Sequence, residues 1–445
     1  MLDGRIALHT RLPAERELAA AVGASRPTVT AAYDLLRQEG YARSRQGAGT
    51  WTALPRGRAP RSVDRFLEPS DSAIDLARAA PGLPGGVLER ALEQAAPRLA
   101  GHAATPGYHP FGLPELRALV AERFTARGLA TVPEQVLVTS GAQHALSLVT
   151  GLMCGPGDRV LVENPTYPNA LEAFRRAGLR TAPVPVADGG WDAGVVEAVL
   201  RRTVPRLGYL VPDFHNPTGC LMPQADRERV AGAARRAGTW LVADETLADL
   251  ALDVPAPAPF ACSAPGGAGQ VVTIGSMSKS YWGGLRVGWV RAPARLVTEL
   301  AAQRIATDLS GPVLDQLVAA RLLDRAGELL PPRLDALREQ RDALAGALAE
   351  HLPGWRWRTP PGGLSFWVDL GEPVASGLAE RALGYGVRIE GGGFFGADPG
   401  LFEQRLRIPF TLPPGTLREA VRRLAAALAA GPARTSVAAR TRWVA

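Results

Sequence analysis

From about Ile74 onward, short β-rich runs alternate with stretches of helical periodicity, and this alternation constrains the fold more than any other feature of the chain. A strand that is followed by a helix and then by another strand is typical of a parallel sheet. The sequence therefore predicts an α/β domain with a mostly parallel sheet over residues 74–430. Its expected strands are QVLVTS (135–140), RVLVE (159–163), LGYLVP (207–212), WLVAD (240–244), VVTIGS (271–276) and RVGWVRA (286–292).

The first fifty residues show a different pattern, in which two short helices are separated by a glycine. Residues 14–22 have helical spacing, and Gly23 is expected to end that helix. Ser25 can cap a second helix, Pro27 suits its first turn, and the apolar spacing predicts that it continues to about Gln38. Two helices joined in this way predict a helix-turn-helix, and ARSRQGAGTWTA then predicts a hairpin, or wing, with arginines at its tip and Gly47 and Gly49 at its turn. The expected apolar faces are Leu18, Ala19 and Val22 in the first helix and Val29, Tyr33, Leu35 and Leu36 in the second.

Positive charge is concentrated in this small module. Residues 1–62 contain ten arginines and five acidic residues, a balance of +5, whereas the other 383 residues contribute only +2 of the formal charge of +7. A basic module beside a nearly neutral one indicates a polyanionic partner, and a helix-turn-helix with a wing indicates double-stranded DNA. The candidate DNA contacts are Arg16, Ser25, Arg26, Thr28, Thr30, Arg43 and Arg45.

The small module resembles the winged-helix domain of the GntR regulators, and the resemblance implies a DNA-binding domain over residues 1–53. That family has a further helix before its LPxER motif, but only LDGRIALHTR stands there in this chain. The first helix is therefore expected to be truncated, either through a misplaced start codon or genuinely. The matching motifs are Leu12-Pro13, Glu15-Arg16, Ser25-Arg26, Thr28-Val29, Ala32-Tyr33, Leu36, Glu39-Gly40 and Gly47 to Thr50.

Two segments lack periodicity, and several classes of protein are disfavoured. Residues 54–73 are rich in Pro, Arg and Ser and predict a linker, and residues 431–445 predict a loose basic tail. There is no run of 18 apolar residues and no signal-peptide core, so no membrane segment is expected. The three cysteines have no metal or disulfide spacing, which predicts a cytoplasmic protein without a metal site.

Lys279 is the only lysine in 445 residues, and it stands just after the predicted strand VVTIGS, between Ser278 and Ser280. Unlike arginine, lysine can lose its proton and form a Schiff base with an aldehyde. The hydroxyls of Ser276 and Ser278 and the guanidinium of Arg286 are suited to a phosphate. An amine beside phosphate-binding groups indicates pyridoxal phosphate (PLP). On spacing alone, an ordinary surface lysine is the alternative.

Further motifs stand where predicted strands end or, in one case, on a strand. Residues 140–146 open a helix whose first N–H groups could face an anion. Tyr167 could stack on a flat ring, Asn216 could donate to a phenolate oxygen, and Asp244 could keep a pyridine nitrogen protonated. Arg407, on the expected strand RLRIPF, suits a carboxylate. Each motif alone is also compatible with a turn, a cap or a core residue.

In their order and spacing, these motifs resemble the fold-type I aminotransferases over residues 74–430. The resemblance implies that Lys279 carries PLP, that Asp244 pairs with the pyridine nitrogen and Asn216 with the ring oxygen O3′, that Tyr167 stacks on the ring, and that Arg407 binds an α-carboxylate. It also implies that Tyr108 reaches the phosphate in the neighbouring subunit. The implied phosphate cradle within one chain is Ser140, Gly141, Ala142, Ser276, Ser278 and Arg286.

One position departs from this family. A tyrosine two residues after the pyridine-binding aspartate is usual, and its phenol meets O3′, but here that position is Thr246. Threonine is shorter and is not a comparable acid, so we expect PLP binding to be retained and proton transfer to be less efficient.

The order of winged helix, linker and aminotransferase-like domain is similar to the MocR subfamily of GntR regulators. This resemblance implies a head-to-tail homodimer that senses PLP, or an amino compound that reacts with it, and that presents two winged helices to DNA. The alternative is a working aminotransferase for an amino acid or related amine. The sequence leaves enzymatic activity open and favours the regulator.

Overall fold

The computed structural model describes residues 6, 10–45, 49–53, 73–264, 269–398 and 400–431. Nearly all of the predicted linker, Gly47 in the wing and the predicted tail beyond Gly431 lie outside the described residues.

The N-terminal unit has the order helix, helix, hairpin that the sequence predicts, with α1 Glu15–Val22, α2 Arg26–Gln38, β1 Ala42–Arg45 and β2 Gly49–Thr52. Gly23 ends α1 because it adopts the left-handed conformation, with φ 66°, which glycine tolerates at little cost. The Ser25 side chain caps α2 by accepting a hydrogen bond from the backbone N–H of Thr28. Antiparallel pairing joins β1 to β2.

The core of this unit is small. Ala19, Val29 and Tyr33 are buried, whereas Val22 and Leu35 are 61% and 54% exposed, so their predicted place on the apolar faces is wrong. Leu35 lies about 200° around the helix from Tyr33, which turns its side chain away from α1. Val22 is the last residue of α1 and lies beyond the packed part of the unit.

The large unit alternates helices and strands. Its helices are α3 Val87–Ala103, α4 Pro114–Ala126, α5 Ala142–Met153, α6 Pro168–Arg176, α7 Ala193–Thr203, α8 Gln224–Ala237, α9 Ala294–Arg304, α10 Val313–Asp324, α11 Ala326–His351, α12 Ala375–Gly384 and α13 Pro414–Ala429. Its strands are β3 Ile74–Asp75, β4 Val136–Thr139, β5 Arg159–Asn164, β6 Arg180–Ala187, β7 Gly190–Trp191, β8 Leu207–Leu210, β9 Trp240–Asp244, β10 Val271–Ser276, β11 Gly288–Arg291, β12 Ser365–Asp369, β13 Val387–Arg388, β14 Glu390–Gly391 and β15 Arg405–Pro409.

An eight-stranded sheet forms the centre of the large unit, in the order β4-β11-β10-β9-β8-β5-β6-β7. The pairs from β10 to β6 are parallel, and β11 is antiparallel to both of its neighbours, so the prediction of a mostly parallel sheet is correct. Strand β6 was not predicted, since Pro183 and Pro185 interrupt its sequence. Proline is tolerated there because β7 pairs only with Val186 and Ala187, so β6 is an edge strand at Pro183 and Pro185.

A second, antiparallel sheet of β12, β15 and β14 packs with α11 and α13 around a separate apolar core. Strand β3 pairs in parallel with β13 and brings the chain that follows Asp75 back toward the central sheet. The carboxyl ends of β8, β9 and β10 therefore face β15 and the segment after β3. Open α/β sheets bind ligands at such carboxyl ends.

Candidate functional site

A cavity of about 320 Å³ lies at the carboxyl ends of the parallel strands, between the two sheets. It brings together most of the predicted cofactor and effector residues, although the first and the last of them, Ala142 and Arg407, are 265 positions apart in the chain. The predicted residues that line it are Ala142, Tyr167, Asn216, Asp244, Thr246, Ser276, Ser278, Lys279, Arg286 and Arg407.

Lys279 lies in the π-helical turn Ser278–Trp282 that follows β10, and its side chain is half-buried. Its Nζ donates a hydrogen bond of 2.8 Å to the carbonyl oxygen of Ala79. The pKa of Lys279 is lowered to about 8, mainly by burial. The Arg407 charge also lowers this pKa, and its effect is larger than the opposing effect of Asp244. The amine is therefore partly neutral near physiological pH, which is the form that attacks an aldehyde.

Asp244 is the last residue of β9, and three hydrogen bonds fix its carboxylate. Its Oδ2 accepts from the hydroxyl of Tyr209 at 2.7 Å, and its Oδ1 accepts from the backbone N–H of Thr246 at 3.0 Å and from the Thr246 hydroxyl. Burial raises the pKa of Asp244, and the hydrogen bonds from Thr246 and Tyr209 partly offset that rise. Thr246 thus contacts Asp244, and its hydroxyl is directed to this carboxylate.

The sequence did not reveal Tyr209. It stands within β8, where an aromatic residue in an apolar run indicates a core position, and no nearby motif marks it. Its partner is 35 residues away, so only the pairing of β8 with β9 shows their contact.

Arg286 and the start of α5 form the anion-binding side of the cavity. Arg286 adopts the left-handed conformation, with φ 52°, and its Nη2 donates to the carbonyl oxygen of Ser140 at 2.8 Å. Gly141 has φ 94°, and a Cβ there would lie 3.0 Å from Arg286 Nη2, so glycine permits this approach. Ser140 and Gly141 thus stand behind Arg286, beside the cavity, and Ser276 donates to the Ser278 hydroxyl at 3.1 Å within it.

Arg407, on β15 of the second sheet, extends into the cavity. Its Nη1 lies 3.5 Å from Asn216 Oδ1, its Nη2 donates to the carbonyl oxygen of Ala77, and its guanidinium lies 4.9 Å from the ring centroid of Phe395. Burial lowers the pKa of Arg407 to about 10, which leaves it cationic at neutral pH. The sequence did not predict that residues 77–80 would cover this side of the cavity.

The two predicted tyrosines differ in their surroundings. Tyr167 lines the cavity, and its hydroxyl accepts a hydrogen bond of 2.9 Å from Asn169. Tyr108 is 65% exposed on the loop between α3 and α4 and does not line the cavity of its own chain. A role for Tyr108 at the phosphate therefore requires a second subunit, as the sequence predicts.

These groups fit PLP. A partly neutral lysine, a buried and oriented carboxylate, and an arginine with serine hydroxyls face one cavity, as an aldehyde, a pyridine nitrogen and a phosphate require. Within the described ranges, no three His, Cys, Asp or Glu side chains are grouped as a metal site. The helices of the described part of the chain are too short or too polar to cross a membrane.

The predicted DNA contacts lie on the N-terminal unit. Arg26, Thr28 and Ser25 are exposed at the start of α2, where the Ser25 and Thr28 hydroxyls are 2.8 Å apart. Thr30 is half-buried, and its hydroxyl donates to Glu15 Oε2 at 2.7 Å, which ties α2 to α1. Arg16 is exposed on α1.

The wing differs from the prediction in one respect. Arg43 is exposed and lies in the middle of β1, opposite Trp51, so its predicted place at the tip is wrong. Arg45 is the last residue of β1 and pairs with Gly49, the first residue of β2.

Comparisons with known proteins match both units. The model of the family "Aminotransferase class I and II" matches residues 75–424, and that of "Bacterial regulatory proteins, gntR family" matches residues 1–51. The HTH-type transcriptional regulator TauR of Rhodobacter capsulatus is 31% identical over 463 residues, covering 96% of this chain and 94% of TauR. The probable rhizopine catabolism regulatory protein MocR of Rhizobium meliloti is 34% identical over 322 residues, covering 66% of this chain and 64% of that protein.

A solved structure resembles the large unit. LysN, the α-aminoadipate aminotransferase of Thermus thermophilus, complexed with N-(5′-phosphopyridoxyl)-L-leucine, is 33% identical with a TM-score of 0.76. The match covers 84% of this chain and 96% of LysN.

Proposed function

Because this chain belongs to the aminotransferase class I and II family, and joins that domain to a GntR domain as in the MocR subfamily, we propose that it is a PLP-dependent transcriptional regulator. Its winged helix binds DNA, and its large unit senses PLP or an amino-compound effector. The observation that carries this proposal is that the Lys279 cavity and helix α2, with Arg26 exposed on its first turn, belong to one chain.

In the proposed complex, each side of the cavity has a separate task. Lys279 would provide the amine for covalent attachment, Asp244 would pair with the ring nitrogen, and Arg286 would neutralise the phosphate. Asn216 would serve the ring oxygen, and Tyr167 would stack on the ring. Bound PLP supplies an aldehyde that bonds reversibly to amines and a ring that withdraws electrons.

The effector we propose is an amine that carries a carboxylate. Arg407 lines the cavity from β15, in the second sheet, and its planar guanidinium can bind a carboxylate through two parallel hydrogen bonds. An amino group on the same molecule would then lie toward Lys279, whose covalent link to PLP it can replace.

We further propose a head-to-tail homodimer in the cytoplasm. Tyr108, Trp282 and Ile305 are large side chains that are 65%, 37% and 57% exposed, and Trp282 directly precedes Gly283, which lines the cavity. Exposed large apolar side chains of this kind support a partner surface. Two subunits would hold two winged helices at a fixed distance, as two DNA half-sites require.

A working aminotransferase is the second candidate function. Lys279, Asp244, Asn216 and Arg407 all face one cavity, which is the set that transamination uses in the family that the chain resembles. Sustained turnover of an amino donor with a keto acid, without any effect of PLP on DNA binding, would favour this candidate.

The test is a fluorescence anisotropy titration of the protein against a labelled duplex from its own upstream region, at fixed salt, with and without PLP. We expect specific binding whose affinity shifts when PLP is present. A protein that carries PLP but binds this duplex no better than random DNA would contradict the proposal. Because non-specific binding depends steeply on salt, the random duplex is titrated at the same ionic strength.

A further inference from the structure

A buried hydrogen bond joins Tyr209 to Asp244, and none of the functions assigned above uses it. The hydroxyl of Tyr209 donates to Asp244 Oδ2 at 2.7 Å, and the side chain of Tyr209 is fully buried. Thr246 donates to the other oxygen, Oδ1, through its N–H and its hydroxyl. Donors therefore bind both carboxylate oxygens, and they fix the direction in which the remaining lone pairs point.

The backbone fixes this contact. Strand β8 pairs in parallel with β9, with Tyr209 opposite Val242 and Leu210 opposite Ala243, so the phenol reaches the end of β9. The Tyr209 ring also packs edge-on against Phe174, with centroids 5.9 Å apart. A rigid ring on a central strand gives the hydroxyl little freedom to leave Asp244.

The hydrogen bond opposes the effect of burial on Asp244. Burial favours the neutral acid, whereas the Thr246 and Tyr209 donors and the charge of Lys279 favour the carboxylate. Burial and the nearby Asp244 charge raise the pKa of Tyr209 well above its ordinary value, so the phenol remains a donor at neutral pH. Charge-assisted hydrogen bonds of this kind are stronger than neutral ones.

We propose that Tyr209 is a positioning residue, which orients the Asp244 carboxylate and keeps it ionised opposite the pyridine nitrogen of PLP. This inference rests on the proposed role of the cavity in binding PLP. Tyr209 acts through Asp244 and has no chemical role of its own.

The test is Tyr209→Phe, which removes the hydroxyl and keeps the ring. We expect its Kd for PLP to rise about tenfold at pH 7, because a hydrogen bond to a charged group is lost. The gap from wild type should widen as the pH falls. Burial already raises the pKa of Asp244, and loss of the Tyr209 donor raises it further, so the variant loses its carboxylate at a higher pH. Absorbance titrations from pH 6 to 8.5 give both the Kd and the spectrum of bound PLP.

Two controls separate positioning from packing. Tyr281→Phe removes another buried tyrosine hydroxyl, one without a hydrogen-bond partner among the described residues, and should leave the Kd and its pH profile unchanged. In an Asp244→Asn background, Tyr209→Phe should add no further loss, since the two residues act as one unit. If Tyr209→Phe melts early, 3-fluorotyrosine at position 209 keeps the ring and, as a stronger donor, should shift the pH profile the opposite way.

The outcomes are distinct. If the wild-type chain binds PLP and Tyr209→Phe has the same Kd and pH profile, or loses affinity equally in the Asp244→Asn background, the positioning role is refuted and the proposed function stands. If the wild-type chain does not bind PLP at all, the proposed function fails, and this inference fails with it.

Discussion

Lys279 shows how neighbouring residues give a common side chain an uncommon chemistry. An ordinary lysine is almost fully protonated at pH 7, with a pKa of about 10.4. Here, burial and the Arg407 charge lower the pKa of Lys279 to about 8, although Asp244 opposes them. The only lysine of the chain is thereby partly neutral near neutral pH, the form that reacts with an aldehyde. Its pKa depends on Arg407 in β15 and on Asp244 in β9.

The pH dependence of covalent attachment follows from this pKa. Only the neutral amine attacks the aldehyde, so we expect the rate of PLP attachment to rise with pH and to be half-maximal near pH 8. Stopped-flow absorbance checks this rate, and borohydride reduction with mass spectrometry locates the modified residue. Lys279→Ala is the control, and it should remain folded without covalent PLP. A rate that still rises steeply above pH 10 would contradict the lowered pKa.

At the scale of elements, we expect α2 and its N-cap to determine how the N-terminal unit contacts DNA. Arg26 is exposed on the first turn of α2, which is the part of a recognition helix that meets base edges. The Ser25 cap fixes where that turn begins, so the position of Arg26 for a DNA contact depends on the cap.

We expect Arg26→Ala to weaken specific DNA binding by about 1–3 kcal/mol if Arg26 contacts a base. Anisotropy titrations with specific and random duplexes at matched salt measure the loss. Arg295→Ala removes an arginine from α9 whose side chain is 92% exposed, and it should leave both affinities unchanged. An equal loss on both duplexes would assign Arg26 to the phosphates, and no loss would remove it from the interface.

Ser25→Ala should destabilise the N-terminal unit by about 1 kcal/mol, the usual effect of losing an N-cap. Only Ala19, Val29 and Tyr33 are buried among the clustered apolar residues of this unit, so such a loss is large relative to its core. Thermal unfolding, followed through the accessibility of α2 to a protease, measures the change. Ser25→Asp keeps a capping oxygen and should restore stability. Equal stability of Ser25→Ala and wild type would show that the cap contributes little.

At the scale of the whole molecule, the two proposed ligands must influence each other equally. If PLP changes the affinity for the upstream duplex by some factor, the duplex must change the affinity for PLP by the same factor. We therefore expect PLP titrations with and without saturating duplex to reproduce the factor from the DNA titrations. Random DNA should leave the PLP affinity unchanged. A duplex that alters PLP affinity by a different factor would mean that a third equilibrium, such as dimerisation, is coupled to both.

The sequence by itself determined the local features of this protein. Gly23 ends α1, Ser25 caps α2, and VVTIGS forms β10, because each depends on the conformational preferences of a few adjacent residues. The sequence alone also singled out Lys279, since its chemistry differs from that of every arginine in the chain, and the structure places it in the cavity.

Only the tertiary structure decided how distant groups pair. The Tyr209 hydroxyl meets Asp244, the carbonyl of Ala79 meets Lys279, and the Thr246 hydroxyl is directed to Asp244. The first two contacts join groups 35 and 200 residues apart, and they depend on which strands are neighbours and on their register. Local sequence patterns do not encode strand order. The pKa of Lys279 therefore could not be predicted, because it depends on Arg407 and Asp244, which strand order and packing place beside Lys279.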